Sequence, residues 1–351
     1  MELSQSQRSL IEKARVLGSG AEGHVLSDEV CAYLVAVIVS DLDLGAEFPE
    51  VPHPVPGFFS TADIERLTLS GVRFEPLAER LFNLDRNADT YFACLANLHK
   101  RRLKYQRILR SQPIPTIDQV GPRGLLQFGS LTPRALGALL FWRKWLYDID
   151  NRAAQETGYL FEPIIAYAIG GAPISAKQSP IKREGDGNKG RQVDCIRERR
   201  AYEFKMRVTI AASGQGRWGE ELQFPRECRL SGFVPVLVVL DPTPNPKLAE
   251  LTKVFLAEDG EAYTGAKAWE HLDGLAGPTM ARFLETYVRG PIEALLAEAS
   301  DALPELSLAM KDGTIIVSVG GERLVIQRQP DGLAEDGDEV PDDAGDVLPG
   351  V

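Results

Sequence analysis

The spacing of apolar residues in the first third of the chain is mostly that of amphipathic helices. Apolar side chains recur every three or four positions, the period that places them on one helix face. The predicted helical or mixed elements are residues 3–16, 28–44, 61–69 and 75–110. Proline-rich stretches at 48–56 and near 112–124 interrupt this pattern and predict connecting loops. We therefore expect residues 1–130 to form a mainly helical N-terminal region.

Strand patterns become frequent only in the middle of the chain, after two further helices. One helix is predicted to begin at Thr132, and a second to cover residues 152–169. The predicted strands are residues 174–178, 191–196, 201–211 and 233–240, with a helix over 217–229. The run 233–240 is apolar almost throughout, which is typical of a strand buried on both faces. This order predicts an α/β fold in which helices flank a mixed central sheet.

The last third of the chain is predicted to be helical before its character changes. The predicted helices are residues 247–256, 266–272 and 278–299. Residues 314–328 predict a β-hairpin that turns at Gly320-Gly321. Residues 331–351 are acidic and rich in glycine and proline, which predicts a disordered tail. We therefore divide the chain into the N-terminal region 1–130, a core at 131–330 and the tail.

The net charge of −11, from 39 basic and 50 acidic residues, by itself argues against a nucleic-acid partner. Eight of the acidic residues lie in the tail, which contains no basic residue. Without the tail, the balance is 39 basic to 42 acidic residues, a net charge of −3. Local basic patches therefore decide what the rest of the chain can bind.

The cysteines and the hydropathy of the chain indicate an intracellular protein. The four cysteines are scattered without a C-x-x-C pair, which favours reduced thiols over a zinc site or disulfides. The N-terminus lacks the basic and apolar regions of a signal peptide. The longest apolar run, residues 30–39, is about half of the ~20 residues that span a bilayer. We expect a soluble, cytoplasmic protein with no membrane partner.

Three charged residues in two of the predicted strands form a pattern that indicates chemistry. Asp194 lies in one strand, and Glu203 and Lys205 lie two residues apart in the next. Side chains at i and i+2 of a strand share a face, so Glu203 and Lys205 are expected side by side. If the charged segment 197–200 forms a hairpin turn, the Asp194 carboxylate joins them. Two such carboxylates offer hard oxygen ligands to Mg²⁺ beside a positive charge.

A structural ion pair between Glu203 and Lys205 is the alternative interpretation. A quarter of the chain is charged, so an acid followed by Glu-x-Lys arises readily by chance. Against this, Glu203 and Lys205 lie in an apolar run, where an ionised side chain costs several kcal/mol unless it is paired or binds a metal. We therefore favour a catalytic role for Asp194, Glu203 and Lys205.

These residues, with the helix and the apolar strand that follow them, resemble the PD-(D/E)xK nuclease superfamily. The length of the chain and the helices around one such core are similar to those of a type II restriction endonuclease. The run from Glu203 to Trp218 resembles the ApaLI-like group. The resemblance covers about residues 150–290. Val193 stands where the written motif has a proline, a position at which the family often varies.

The resemblance implies a role for each residue of the motif. Asp194 and Glu203 would be the metal-binding carboxylates, with Mg²⁺ as the cofactor, and Lys205 would orient or polarise the attacking water. Many members carry a further acidic residue on the helix before the sheet. Glu162, in an otherwise apolar stretch, is the best match for that catalytic position, and Glu156 is the competing candidate.

Basic and polar residues in three places then become candidate contacts with DNA. Residues 100–110 contain six basic residues and no acid, so a helix there would have a broad face for phosphates. A glycine-rich basic loop precedes Asp194, and a polar segment follows the catalytic strand. The candidate contacts are Lys100, Arg101, Arg102, Lys104, Lys182, Arg183, Lys189, Arg191, Gln215 and Arg217. A plain solvated surface is the alternative at each place.

By resemblance, the chain is expected to be a Mg²⁺-dependent type II restriction endonuclease that hydrolyses a specific double-stranded DNA sequence and leaves 5′-phosphate ends. We expect a homodimer, because a two-fold dimer suits a two-fold site, and a DNA methyltransferase as its functional counterpart. Residues 1–130 would serve in DNA binding or dimerisation. Two alternatives stay open: a repair or modification-dependent nuclease of the same fold, and a non-catalytic DNA-binding or assembly protein.

Overall fold

The computed structural model of the chain describes residues 3–17, 24–60, 64–185, 189–206, 215–298 and 302–329. The helices are α1 (Gln5–Arg15), α2 (Asp28–Asp41), α3 (Phe74–Leu84), α4 (Ala88–Ser111), α5 (Ile117–Val120), α6 (Pro133–Ala168), α7 (Gln215–Leu230), α8 (Pro246–Ala257), α9 (Ala266–Leu284) and α10 (Gly290–Ala297). The strands are β1 (Val16–Leu17), β2 (His24–Val25), β3 (Ala172–Ile174), β4 (Val193–Arg197), β5 (Arg200–Lys205), β6 (Val234–Val239), β7 (Glu261–Thr264), β8 (Leu306–Lys311), β9 (Thr314–Val319) and β10 (Glu322–Gln327). Short helical turns are Gly45–Glu47, Ile64–Arg66, Gly121–Gln127 and Glu285–Arg289.

A five-stranded mixed sheet, in the order β3-β4-β5-β6-β7, carries the middle of the chain. The pairs β3–β4 and β4–β5 are antiparallel, and the pairs β5–β6 and β6–β7 are parallel. From Pro235 to Val239, every residue of β6 is buried, as its uninterrupted apolar sequence predicts. The predicted α/β fold with helices around a mixed central sheet is therefore confirmed.

Helices α7 and α8 pack on this sheet through one apolar cluster. Phe224 of α7 and Leu251 and Phe255 of α8 are buried together with Val193 and Val239 of the sheet. Each such side chain contributes about 1.5–3 kcal/mol when it leaves water. This cluster fixes α7 beside the sheet, which matters because α7 also carries polar side chains that reach β5.

A partly buried carboxylate joins two of the N-terminal helices to the helical turn Glu285–Arg289. Helix α2 is buried along nearly its whole length, which accounts for the apolar run at residues 30–39. At its end, the Asp41 carboxylate accepts hydrogen bonds from the Tyr91 hydroxyl at 2.9 Å and the Tyr287 hydroxyl at 2.5 Å. Within the described ranges, no helix is long and apolar enough to cross a membrane.

Several helix bounds differ from the sequence-based expectations. The helix expected over 75–110 is interrupted between α3 and α4, because the Asp85 carboxylate accepts the Asn87 N–H at 2.8 Å and stabilises a turn. The helix expected over 61–69 is wrong, since the described part contains only the turn Ile64–Arg66. The two helices expected between residues 132 and 169 are one, α6, because residues 147–151 contain neither glycine nor proline to end it.

The strand expectations were right for β4, β5 and β6 and incomplete elsewhere. The strand expected at 174–178 ends at Ile174, so it is shorter and lies earlier. The strand expected at 201–211 ends at Lys205, and Met206 is not part of it. Residues 207–211 lie outside the described ranges. The edge strand β7 was missed, because its four residues are only partly buried and show no alternation of apolar and polar positions.

A small antiparallel sheet, in the order β8-β9-β10, contains the predicted hairpin. Strands β9 and β10 confirm the expected hairpin at 314–328, whereas β8 was not predicted. Ile315 and Ile326 of the hairpin are buried with Trp145 of α6 in a separate apolar cluster.

The contacts between residues divide the chain into two compact units. Among the described residues, one unit takes in 3–100 and 159–294, and the other takes in 101–158 and 295–329. The central sheet and helices α7 to α9 belong to the first unit, and the small sheet belongs to the second. The boundaries of these units differ from those of the expected domains 1–130 and 131–330. The expected domains stay a prediction. The expected disordered tail lies outside the described residues.

Candidate active site

The hairpin of β4 and β5 brings the first two carboxylates of the predicted site together. Its turn is the charged segment 197–200, in which Glu198 has a φ of 56°. The antiparallel register pairs Cys195 with Tyr202, so one step further along it Asp194 lies across from Glu203. The Phe204 N–H donates to the Asp194 carboxylate at 2.8 Å and fixes that side chain against β5. The expectation of a hairpin that joins the two strands is confirmed.

Glu203 and Lys205 share one face of β5, as the two-residue period of a strand requires. The Lys205 ammonium donates to Glu203 Oε1 at 2.7 Å. Phe204, between them in sequence, is 2% exposed and belongs to the core. The Lys205 and Glu203 side chains are 20% and 19% exposed, so this ion pair is largely shielded from water.

Helix α7 contributes a carboxylate that sequence reasoning missed. Glu221 Oε1 accepts a hydrogen bond from the Lys205 ammonium at 3.4 Å. The other oxygen, Oε2, is buried and has no hydrogen-bond partner among the described residues. A buried carboxylate oxygen without a partner is costly, so its position calls for an explanation. The signal for Glu221 is three-dimensional, because α7 carries charged residues on several sides and only its packing selects the side that meets β5.

Glu162 of α6 is electrostatically linked to the same residues. Burial raises the pKa of Glu162 to about 7, and the charge of Glu203 adds to this rise while Lys205 opposes it. Glu156, the competing candidate, instead accepts hydrogen bonds from Arg101 at 2.9 Å and Lys104 at 2.5 Å. Those two cations account for Glu156, so Glu162 is the helix carboxylate that belongs with the hairpin.

The charges of the cluster shift one another in a consistent way. Burial raises the pKa of Asp194, and the carboxylates of Glu203 and Glu162 raise it further, against the opposing effects of Lys205 and the Phe204 N–H. Burial alone would lower the pKa of Lys205, but the carboxylates of Glu203, Glu221 and Asp194 outweigh burial and raise it. The ammonium therefore stays protonated at neutral pH. We call Glu162, Asp194, Glu203, Lys205 and Glu221 the acidic site.

The acidic site has more negative than positive groups. In the parts of the chain that are described, no three acidic, histidine or cysteine side chains are arranged to hold a metal ion as they stand. The contacts explain this, since Glu203 faces Lys205 and one Asp194 oxygen accepts the Phe204 N–H. The donors nevertheless suit a hard cation, because they are carboxylate oxygens and the single Lys205 ammonium does not balance their charge.

The expected basic face of α4 is wrong at Lys100. This side chain is 1% exposed, and its ammonium donates to the Val16 carbonyl at 2.6 Å. Arg101 and Lys104 are engaged with Glu156, as described above, and Arg102 is partly buried. A contact of Arg101, Arg102 or Lys104 with DNA stays a prediction.

The basic loop before β4 divides into exposed and buried parts. Lys182 and Lys189 are exposed, and Arg183 forms an ion pair with Glu220 at 3.4 Å. Arg191 was expected to contact DNA from the surface, but it is 8% exposed and its guanidinium donates to Glu227 Oε2 at 2.6 Å. That expectation is wrong, because α7 packs on Arg191. The side chains of Gln215 and Arg217 lie outside the described residues.

The chain belongs to the ApaLI-like restriction endonuclease family, whose model matches residues 69–289. This match includes the whole acidic site and begins well before residue 150, so the family region is longer than the predicted 150–290. Family membership confirms the resemblance to the PD-(D/E)xK and type II restriction enzymes and the assignment of the chain to the site-specific deoxyribonucleases.

One curated relative is similar over most of both chains. The Type II restriction enzyme ApaLI of Acetobacter pasteurianus is 49% identical to the chain over 274 residues, which is 73% of each protein. No solved structure matches the chain to a significant degree.

Proposed function

We propose that the chain is a Mg²⁺-dependent type II restriction endonuclease that cuts both strands of a specific DNA sequence and leaves 5′-phosphate and 3′-hydroxyl ends. The observation that carries the proposal is the placement of Asp194, Glu203 and Lys205 on one hairpin, in a chain of the ApaLI-like family. The acidic site is the candidate reacting centre.

Asp194 and Glu203 are the proposed holders of the metal. Mg²⁺ takes hard oxygen ligands and keeps several waters, so two carboxylates suffice as anchors. The ion, when bound, would polarise the scissile phosphate and make a water molecule more acidic. The raised pKa of Asp194, caused by burial and then by Glu203, supports this assignment, because the uncompensated negative charge favours a cation.

Lys205 acts as a cation in this proposal and not as a base. Its pKa is raised, because Glu203, Glu221 and Asp194 outweigh the effect of burial, so the ammonium keeps its proton at neutral pH. A protonated ammonium in a shielded site can orient a water molecule through its N–H groups. It can also offset negative charge that develops on the phosphate.

Glu162 is the proposed proton acceptor of the site. Burial, followed by the charge of Glu203, raises its pKa to about 7. A carboxylate with a pKa near the working pH is suited to take a proton from an attacking water and to release it again. Glu162 would thus have a function distinct from that of Asp194 and Glu203.

DNA contacts and assembly complete the proposal. Lys182, Arg183 and Lys189 lie on the loop that leads into β4 and are the proposed phosphate contacts nearest to the hairpin in sequence. Two copies of the chain would bring two acidic sites to a two-fold DNA sequence, one for each strand. We expect the enzyme to work in the bacterial cytoplasm beside a DNA methyltransferase that protects the host sequence.

The test is cleavage of plasmid and genomic DNA by the purified chain, with Mg²⁺ or with a chelator. We expect discrete fragments only with Mg²⁺, a single sequence at the sequenced ends, and ends that ligate without prior phosphorylation. Random degradation, or DNA binding without cleavage, would contradict the proposal.

A further inference from the structure

We infer that Glu221 is a positioning residue, which keeps the Lys205 ammonium in place when Glu203 acts as a metal ligand. The inference rests on the proposed function and assigns a task to a carboxylate that the catalytic motif does not include. Glu221 reaches the site from α7, whereas the motif lies on β4 and β5.

The contacts of Lys205 place its ammonium between carboxylates of two different elements. Glu203 Oε1 lies at 2.7 Å and Glu221 Oε1 at 3.4 Å from the nitrogen. A lysine side chain has four rotatable bonds, so its position is set by the acceptors around it and not by its own stiffness. Loss of either acceptor would therefore widen the range of positions that the ammonium can take.

Glu203 is assigned two tasks that compete for the same carboxylate. As the structure stands, Glu203 Oε1 accepts from Lys205, and in the proposed function the same side chain holds Mg²⁺. When Glu203 turns toward the metal, Lys205 loses its nearest acceptor. An ammonium that is largely shielded from water and has no acceptor is unfavourable, so another carboxylate has to compensate.

Glu221 has the spare capacity to do so. Its Oε1 already accepts from Lys205, and its buried Oε2 has no hydrogen-bond partner among the described residues. A carboxylate offers about four acceptor positions, so Glu221 can accept a second N–H from the same ammonium. The unpartnered oxygen thus has an explanation, since it is the acceptor that Lys205 uses when Glu203 is engaged elsewhere.

The position of α7 is fixed on both sides of Glu221. Arg191 forms a buried ion pair with Glu227 Oε2 at 2.6 Å and donates to the Glu220 carbonyl, also at 2.6 Å. The guanidinium lies 5.2 Å from the centre of the Phe224 ring. Because α7 is anchored in this way, its Glu221 carboxylate can hold the Lys205 ammonium within a fraction of an ångström.

The experiment compares the unmutated chain with Glu221→Gln, Glu221→Asp and the matched control Glu250→Gln, an exposed position on α8. Cleavage is measured as a single-turnover rate at saturating DNA and Mg²⁺. Metal affinity is measured separately, from the rise in melting temperature with Mg²⁺ concentration in the absence of DNA. Circular dichroism and melting without metal verify that each variant is folded.

We expect Glu221→Gln to lower the cleavage rate by about 10- to 100-fold, the effect of losing one hydrogen bond to a charged group. Its half-saturating Mg²⁺ concentration and its DNA affinity should stay unchanged within about 2-fold, since a positioning residue does not bind the metal. Glu221→Asp keeps the negative charge and should recover at least part of the rate. Glu250→Gln should behave like the unmutated chain.

Three results would overturn the inference. An unchanged rate in Glu221→Gln would mean that Lys205 does not depend on Glu221. A large increase in the half-saturating Mg²⁺ concentration would make Glu221 a metal ligand instead. If Glu221→Gln fails to fold, the same criteria apply to Glu221→Ala, which also removes the carboxylate. If the unmutated chain does not cleave DNA, the proposed function and this inference are both rejected. If the unmutated chain cleaves and Glu221→Gln cleaves equally fast, only the inference is rejected.

Discussion

Two charged clusters each include a glutamate of helix α7, and they differ in their ratio of positive to negative groups. The anchor pair, Arg191 and Glu227, contains one cation and one anion at 2.6 Å, with exposures of 8% and 1%. Each partner has a further hydrogen bond, from Arg191 to the Glu220 carbonyl and from the Glu184 N–H to Glu227. The anchor pair is therefore satisfied by the chain itself.

The acidic site has four carboxylates and a single ammonium. Burial and mutual repulsion raise the pKa of Asp194, and Glu221 Oε2 has no hydrogen-bond partner among the described residues. The comparison shows that charged clusters have two different roles in this protein. A balanced pair fixes a helix, whereas an unbalanced group keeps an unfavourable energy that a bound cation can offset. Substitutions at the two clusters should therefore affect different quantities.

The largest effect is expected from Asp194→Asn and Lys205→Ala. Each should lower the rate of DNA cleavage by at least about 1,000-fold, because each removes a group with a direct role in the chemistry. The melting temperature of Asp194→Asn without metal should stay the same or rise, because a neutral side chain replaces a carboxylate whose pKa burial and nearby carboxylates raise. Plasmid cleavage measures the rate, and thermal melting measures stability. If Asp194→Asn lost stability as well as activity, the acidic site would not differ from the anchor pair in the way proposed.

The opposite result is expected from Glu227→Gln in the anchor pair. It leaves the Arg191 guanidinium buried without its counter-charge, which should reduce the free energy of unfolding by about 3–5 kcal/mol. Cleavage below the melting transition should fall far less than in Asp194→Asn. Urea unfolding gives the free energy, and Glu258→Gln, at a partner of the half-exposed Arg229, is the control. Retained stability with lost cleavage would place Glu227 in the reacting centre.

A smaller effect is expected in the dependence of stability on pH, measured in the absence of metal. Burial, then the charge of Glu203, raises the pKa of Glu162 from 4.5 to about 7. The folded state therefore binds this proton more tightly than the unfolded state. The resulting stability is full below pH 4.5 and is lost as the pH rises to about 7.

Glu162→Gln isolates this contribution, since glutamine resembles the protonated acid at every pH. The two proteins should be nearly equally stable at pH 4, and the variant should be more stable by about 3 kcal/mol at pH 8. Parallel stability curves across this range would show that Glu162 does not share the electrostatics of the acidic site.

The smallest effect is expected at an exposed ion pair between α7 and the loop before β4. Arg226 and Glu184 form an ion pair at 2.7 Å, but their side chains are 52% and 50% exposed. Arg226→Ala should leave the urea midpoint of unfolding nearly unchanged, because water and salt screen the pair. If Arg226→Ala lost as much stability as Glu227→Gln, burial would not explain the difference between the exposed pair and the anchor pair.

The acidic site was predictable from the sequence as far as it lies on consecutive strands. The two-residue period of a strand is enough to bring Glu203 and Lys205 together, and the charged turn at 197–200 brings Asp194 to them. The long apolar run of β6 similarly predicted a central buried strand. These features depend on local spacing, which a sequence displays directly.

Other features depend on which helix face packs inward, and these were missed. Glu221 lies on α7, where charged residues occur on several sides, so no apolar stripe predicts its orientation. Lys100 and Arg191 look like surface cations in sequence but are buried by contacts with residues far along the chain. The edge strand β7 is short and half-buried, so it lacks a period that could reveal it.

The most direct test of the central claim is the change in melting temperature that Mg²⁺ produces at pH 8 without DNA. If the acidic site keeps excess negative charge for a cation, Mg²⁺ should raise the melting temperature of the unmutated chain in a saturable manner. The same titration should leave Asp194→Asn nearly unchanged and should still stabilise Glu250→Gln. An equal rise in all three proteins, or no rise in the unmutated chain, would contradict the account.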